Sequence, residues 1–99
     1  VEGFAPLVFA AAVLTAPADA ESIGSNYGTC PDGSIMELQM FDPDPNDTRA
    51  VIVLFKRGPL VVAKLDSLNM TLTLASGEVL DVVTAKQRFP SPCDIPQGV

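Results

Sequence analysis

Hydrophobic and polar residues alternate along several short segments from residue 35 onward. In residues 35–40, the apolar Met36, Leu38 and Met40 are separated by polar side chains, the period-two pattern of a strand with one solvent-facing side. Apolar or alternating runs of similar length recur at residues 50–55, 60–65, 70–74 and 78–85. Because short connections place successive strands side by side, the sequence predicts a mainly β fold, an antiparallel meander of five strands that forms an open sheet or a small barrel.

The last predicted strand and the tail after it have less regular patterns. In residues 78–85 the apolar spacing fits a strand or a short helix, and the β-branched valines favour the strand. Ser76 and Gly77, just before it, suit a two-residue hairpin loop. Residues 89–96 contain three prolines, which predict an extended C-terminal strap rather than a regular element.

The first twenty residues differ in composition from the rest of the chain. Residues 4–16 are apolar and Ala-rich, prolines near both ends favour a short helix, and Ala18 and Ala20 fit the pattern that signal peptidases cleave. The run is too short to cross a bilayer, where roughly 20 residues are needed. We therefore expect residues 1–20 to be either a cleaved signal peptide or a retained apolar anchor. Either interpretation places the remainder outside the cytoplasm, in a periplasm, the extracellular space or a thylakoid lumen.

A segment rich in Gly, Ser and Asn joins this leader to the predicted strands. It covers residues 21–34 and includes Pro31, Asp32 and Gly33, a sequence typical of a tight turn. The expected organisation is therefore the leader at 1–20, a linker and turn at 21–34, and a β domain at 35–99 that ends in the strap.

The chain contains two cysteines, Cys30 and Cys93, near the two ends of the predicted β domain. In an exported domain this short, a disulfide between them is expected to close the fold, the alternative being two free buried thiols. A zinc or redox site is not expected, because the chain has no histidine and no CxxC pair.

Charge and composition restrict the classes of function. With 12 acidic and 6 basic residues the net charge is −6, which argues against nucleic-acid binding because that needs a basic surface. The absence of histidine removes the commonest general base. Asp66, Glu78 and Asp81 are the remaining candidates for a catalytic carboxylate pair, and their positions indicate turn and strand-surface residues. The sequence predicts a non-enzymatic protein without a cofactor.

Two local motifs lie in predicted turns. Asp42, Asp44 and Asp47 offer alternate oxygen ligands of the kind calcium prefers, but the spacing does not match an EF-hand and indicates a solvated acidic turn. Asn46 and Asn69 each begin an Asn-x-Thr sequon, which would be glycosylated if the protein is eukaryotic.

In outline the chain resembles the small periplasmic inhibitors of C-type lysozyme. Those proteins have a tyrosine just before the first cysteine, an Asp-Gly turn, a β meander and a second cysteine near the end, which Tyr27, Cys30, Asp32-Gly33 and Cys93 match. Ser76-Gly77 falls where the family carries its inhibitory Ser-Gly loop. The tyrosine expected shortly after that loop is absent, since residues 78–81 read Glu-Val-Leu-Asp.

These observations favour an accessory or structural subunit of a larger, membrane-associated protein complex. Its binding would use a sheet edge or an apolar face, with Ile35 and Phe41 on the polar face of the first predicted strand as candidate contact residues. Residues 4–16 would provide the membrane contact. The alternative is a free secreted or periplasmic binding module, such as an inhibitor of a lysozyme-type hydrolase.

Overall fold

The computed structural model describes residues 14–97, which form one open antiparallel sheet covered on one face by a short helix and a C-terminal strap. The strands follow one another in sequence order: β1 (Glu21–Thr29), β2 (Ile35–Asp42), β3 (Ile52–Arg57), β4 (Leu60–Asp66), β5 (Thr71–Leu74) and β6 (Val79–Asp81). Helix α1 spans Val82–Arg88, and a 3-10 turn spans Pro92–Asp94. The mainly β, antiparallel prediction is confirmed, and the sheet is open rather than closed.

Within the described residues the sheet has six strands, one more than the sequence predicts, and the additional strand is β1. The sequence predicts a linker over residues 21–34, yet Glu21–Thr29 pairs with β2 along its whole length. Eight of these nine residues are exposed, so β1 has no buried face to impose an alternating apolar pattern. Its Gly, Ser and Asn residues therefore look like loop residues although the strand is held by backbone pairing.

The segment 78–85 divides between a strand and a helix, which corrects the prediction of a single strand. Only Val79–Asp81 pairs with β5, and α1 begins at the next residue. Asp81 is the N-cap, since its carboxylate accepts from the backbone N–H of Thr84 at 2.9 Å. Lys86 and Arg88 lie in the last turn, where cations interact favourably with the helix dipole. The N-cap and the basic last turn stabilise the helix more than the β preference of Val82 and Val83 opposes it.

Loss of the cap should destabilise α1. Hydrogen bonds from the backbone and hydroxyl of Thr84 hold the pKa of Asp81 below its usual value of 3.8. A lowered folded-state pKa contributes stability that is complete above pH 3.8 and is lost as the pH falls through the lower folded value. We expect Asp81→Ala to lower the melting temperature at pH 7, and the difference from wild type to shrink only as the pH falls below 3.8.

Circular dichroism melts at a series of pH values measure this effect. Asp81→Asn is the matched control, because asparagine also caps helices but does not titrate. The melting temperature of this variant should be close to that of wild type at pH 7. It should lack the loss at low pH that protonation of the Asp81 carboxylate causes in wild type. An alanine variant as stable as wild type at pH 7 would contradict the capping role.

The core lies on the face of the sheet that α1 and the strap cover. Leu38, Phe55, Ala63 and Leu74 lie side by side across β2, β3, β4 and β5 in the pairing register. Ala85 of α1 is buried against the same cluster. These residues are apolar and belong to segments that the sequence predicts as strands.

The Cys30–Cys93 disulfide attaches the strap to the turn between β1 and β2, and the two Cα atoms are 5.7 Å apart. The predicted disulfide is therefore confirmed. Next to it, the guanidinium of Arg57 donates to the backbone carbonyl of Cys93. Instead of being fully extended, the strap contains the 3-10 turn, which Ser91 caps by accepting from the N–H of Cys93. Ile95, just after the turn, is buried in the core.

Within residues 14–97, no helix combines the length and apolar character needed to cross a bilayer. Residues 1–13, which contain most of the predicted apolar leader at 4–16, lie outside the described residues.

Candidate functional site

An apolar groove lies between the sheet and the elements that cover it. We define this groove by three sets of residues. Its floor is Leu38, Phe55, Leu65 and Leu72 on the sheet; one wall is Val82, Ala85, Lys86 and Phe89 on and after α1; the other is Pro90, Pro92 and Ile95 of the strap. Its volume is about 270 Å³.

The groove exists because the covering elements are too short to close over the core face. Helix α1 has seven residues and contacts β5 and β6, at one end of the sheet. The proline-containing strap cannot extend the cover by pairing as a strand. Leu38 and Leu65 are consequently only partly buried, although they face the core. A second cavity of about 260 Å³ adjoins the groove near β1 and shares Leu38 and Pro92 with it.

Lys86 is the charged residue of the groove lining. Arg88, two residues further along α1, forms an ion pair with Glu78 at 2.9 Å and lies over the Phe89 ring. Within residues 14–97, Lys86 has no ion-pair partner. The groove therefore combines an apolar lining with the cation of Lys86, which is unpaired among the described residues.

The second candidate surface is the free edge of β1, which we call the β1 edge (Glu21–Thr29). Within the described part of the chain, β1 is an end strand and pairs with β2 alone. Ile23 is 54% exposed and Tyr27 70% exposed. Ile23 is the extra residue of a bulge, because Ser22 pairs with Phe41 while Gly24 already pairs with Met40.

Next to the β1 edge, three side chains converge on Glu37 at the start of β2. Its carboxylate accepts from the hydroxyl of Ser25 at 3.1 Å and from that of Tyr27 at 3.2 Å, and lies 4.0 Å from the ammonium of Lys56. The two hydroxyl contacts link β1 to β2 on the exposed surface, and the second orients the Tyr27 side chain toward Glu37.

The acidic loop carboxylates each stabilise a local turn. Asp42 accepts from the N–H of Asp44, and Asp44 accepts from that of Asn46. Asp47 accepts from the guanidinium and the backbone N–H of Arg49, and these hydrogen bonds hold its pKa below the usual value. No group of three or more potential ligand side chains in residues 14–97 is arranged to hold a metal ion.

The other predicted site residues lie apart from the groove. Asn46 and Asn69 are both exposed in turns, and the Asn69 amide donates to Asp66 at 2.8 Å. Ile35 is 55% exposed at the start of β2, whereas Phe41 is half-buried near its end. The structure does not bring Ile35 and Phe41 together, since they occupy opposite ends of one strand.

The three carboxylates considered for catalysis are also in local contacts. Asp66 accepts from the backbone of Leu68, Asp81 caps α1, and Glu78 pairs with Arg88. Within the described residues, no hydrogen bond links Asp66 to Glu78, so these two candidates do not form a carboxylate pair through a direct contact.

The Ser-Gly segment lies at the tip of the β5–β6 hairpin, where both residues are exposed. The loop has three residues rather than the predicted two, since the N–H of Leu74 donates to the carbonyl of Glu78 at 2.8 Å. Gly77 has φ +93°, a left-handed conformation that glycine adopts without strain.

The sequence reasoning missed both the groove and the β1 edge. The Asp81 cap and the basic last turn are signals of α1 that a closer reading of the sequence could use, but no local pattern shows where a helix and a strap leave a sheet uncovered. No protein family, curated protein or solved structure gives a significant match to the chain.

Proposed function

We propose that this protein is a non-catalytic accessory or structural subunit of a larger, membrane-associated complex outside the cytoplasm, and that it binds its protein partner through the β1 edge. The observation that carries the proposal is an edge strand of nine residues of which eight are exposed. A disulfide-closed fold is compatible with an oxidising compartment. Residues 4–16 would supply the membrane contact.

Edge strands that do not bind a partner are normally protected from pairing with other chains by their short length, by lysine or proline residues, or by bulges. In β1 the bulge at Ile23 protects the first third, and Glu21 is the one charged residue. From Gly24 to Thr29 the strand is uncharged and contains no proline. Such a segment can pair with an added strand, because its backbone offers hydrogen bonds and its side chains impose no charge repulsion.

A lysine at the edge tests this proposal. Tyr27→Lys, within the uncharged Gly24–Thr29 segment, should reduce partner retention about tenfold when the tagged protein is purified from envelope membranes of its own source, because docking would bury the ammonium. The matched control is Val83→Lys, which places the same charge at a helix position that is 66% exposed. It should retain the partner. Equal retention by both variants would refute docking through β1.

A second candidate is a free binding module that inhibits a lysozyme-type hydrolase. The observation in its favour is the exposed, tightly bonded Ser76-Gly77 tip, a shape that can enter an enzyme cleft. Intact mass and size-exclusion chromatography distinguish the candidates. A monomer beginning at Glu21 that inhibits C-type lysozyme would favour the second candidate and overturn the anchored subunit.

A further inference from the structure

We propose that the apolar groove binds a single-chain amphiphile with a carboxylate head group, a fatty acid of about ten carbons. The acyl chain would lie on the sheet floor between α1 and the strap, and the carboxylate would meet the ammonium of Lys86. This proposal rests on the groove alone and is independent of docking through the β1 edge.

The interior of the groove matches a hydrocarbon chain. Apart from Lys86, its lining side chains are aliphatic, aromatic or proline. The floor residue Leu72 is buried, whereas Leu38 and Leu65 keep exposed surface that a ligand would cover. Covering apolar surface is favourable by about 25 cal/mol per Å², and the floor offers no hydrogen-bonding side chain that would favour a polar ligand.

The size of the groove favours a small ligand over a protein segment. Small-molecule sites commonly enclose about 300–1,000 Å³, and the groove, with a volume of about 270 Å³, is near the lower end of that range. An apolar cavity of about 150 Å³ holds one benzene-sized molecule, so this volume accommodates about ten carbons. Longer chains could continue into the adjoining cavity past Leu38 and Pro92.

The charge at the groove edge selects the head group. The other cation near the groove, Arg88, is already paired with Glu78. Lys86 has no such partner within residues 14–97, so a carboxylate there gains an ion pair without breaking another. A cationic head group would be repelled, and a neutral hydroxyl would accept a hydrogen bond from the ammonium but form no ion pair.

Titration calorimetry with decanoate and 1-decanol, below the concentrations at which they aggregate, tests the proposal on the full chain. Lys86→Gln should weaken decanoate binding about threefold, the value of an exposed ion pair, and leave decanol binding unchanged. The matched control is Lys64→Gln, on β4 outside the groove lining, which should bind both ligands as wild type does.

Filling the groove provides a test that does not depend on charge. Val82→Phe, on the groove wall, should weaken both ligands about tenfold by occupying their volume. Val83→Phe adds the same ring at the neighbouring, exposed helix position and should leave binding unchanged. Backbone NMR spectra of the two variants verify that each retains the fold.

Three results would overturn the proposal. Wild type that binds neither ligand would refute the site itself. Equal losses in the Lys86 and Lys64 variants would refute the assigned head-group contact, and equal behaviour of the Val82 and Val83 variants would place the ligand elsewhere. Because the residues changed here lie outside β1, a failure of this test leaves the result at the β1 edge unaffected.

Discussion

Replacing both cysteines by alanine should lower the free energy of unfolding by about 4 kcal/mol. The disulfide joins residues 63 apart in sequence, so it removes a large part of the entropy of the unfolded chain. Small domains have about 5 kcal/mol of net stability, and this loss would leave the domain barely folded at 25 °C.

Urea denaturation followed by circular dichroism measures the loss. Cys30→Ala/Cys93→Ala avoids burying a hydroxyl at position 30, where the half-cystine is 3% exposed. Wild type reduced with a thiol is the second arm, and it should show a similar loss because the described residues contain no other cysteine. A double variant within about 1 kcal/mol of wild type would show that strand pairing and core packing hold the fold without the disulfide.

The strap gives the disulfide a role in shape as well as in stability. Cys93 lies in the 3-10 turn between Pro92 and Asp94, and Pro92 forms part of one groove wall. The contact from Arg57 to the carbonyl of Cys93 holds the same turn to β3. Without the covalent link, one side of the groove depends on this hydrogen bond and on burial of Ile95.

Strands β2 to β5 could be predicted from the sequence because each buries apolar residues. In β3 the apolar run is unbroken because Leu54 and Phe55, on opposite faces of the sheet, are both buried, whereas β5 buries one face. Leu72 and Leu74 are buried and Thr71 and Thr73 are half-buried, so the alternating pattern in the sequence reflects a physical difference between the two faces. The disulfide could be predicted because the chain has two cysteines near the ends of the predicted β domain, and domains this short commonly need a covalent link.

Strand β1 and helix α1 could not be predicted in the same way, for different reasons. Eight of the nine residues of β1 are exposed, so its sequence is free to contain residues that are also common in loops. In α1 the valines favour a strand locally, but burial of Ala85 against the sheet and the Asp81 cap favour the helix. The groove depends on how α1 and the strap lie across the sheet, a tertiary relation without a local sequence pattern.

Leu74→Ala should destabilise the domain by about 3 kcal/mol. Leu74 is 3% exposed and pairs with Ala63 in the row that continues to Phe55. Shortening it would remove apolar contacts and leave a cavity, because the surrounding strands are held in place by their pairing. The midpoint of urea unfolding should fall while the m-value stays constant.

Thr73→Ala is the matched control for this core substitution. Thr73 is adjacent on β5 but points to the opposite face and is half-buried, so its loss should cost less than about 1 kcal/mol. A Leu74 variant no less stable than the Thr73 variant would place β5 outside the core. The expected difference instead follows from the alternation of buried and less buried residues along β5, because only one side of this strand faces the cluster that α1 and the strap cover.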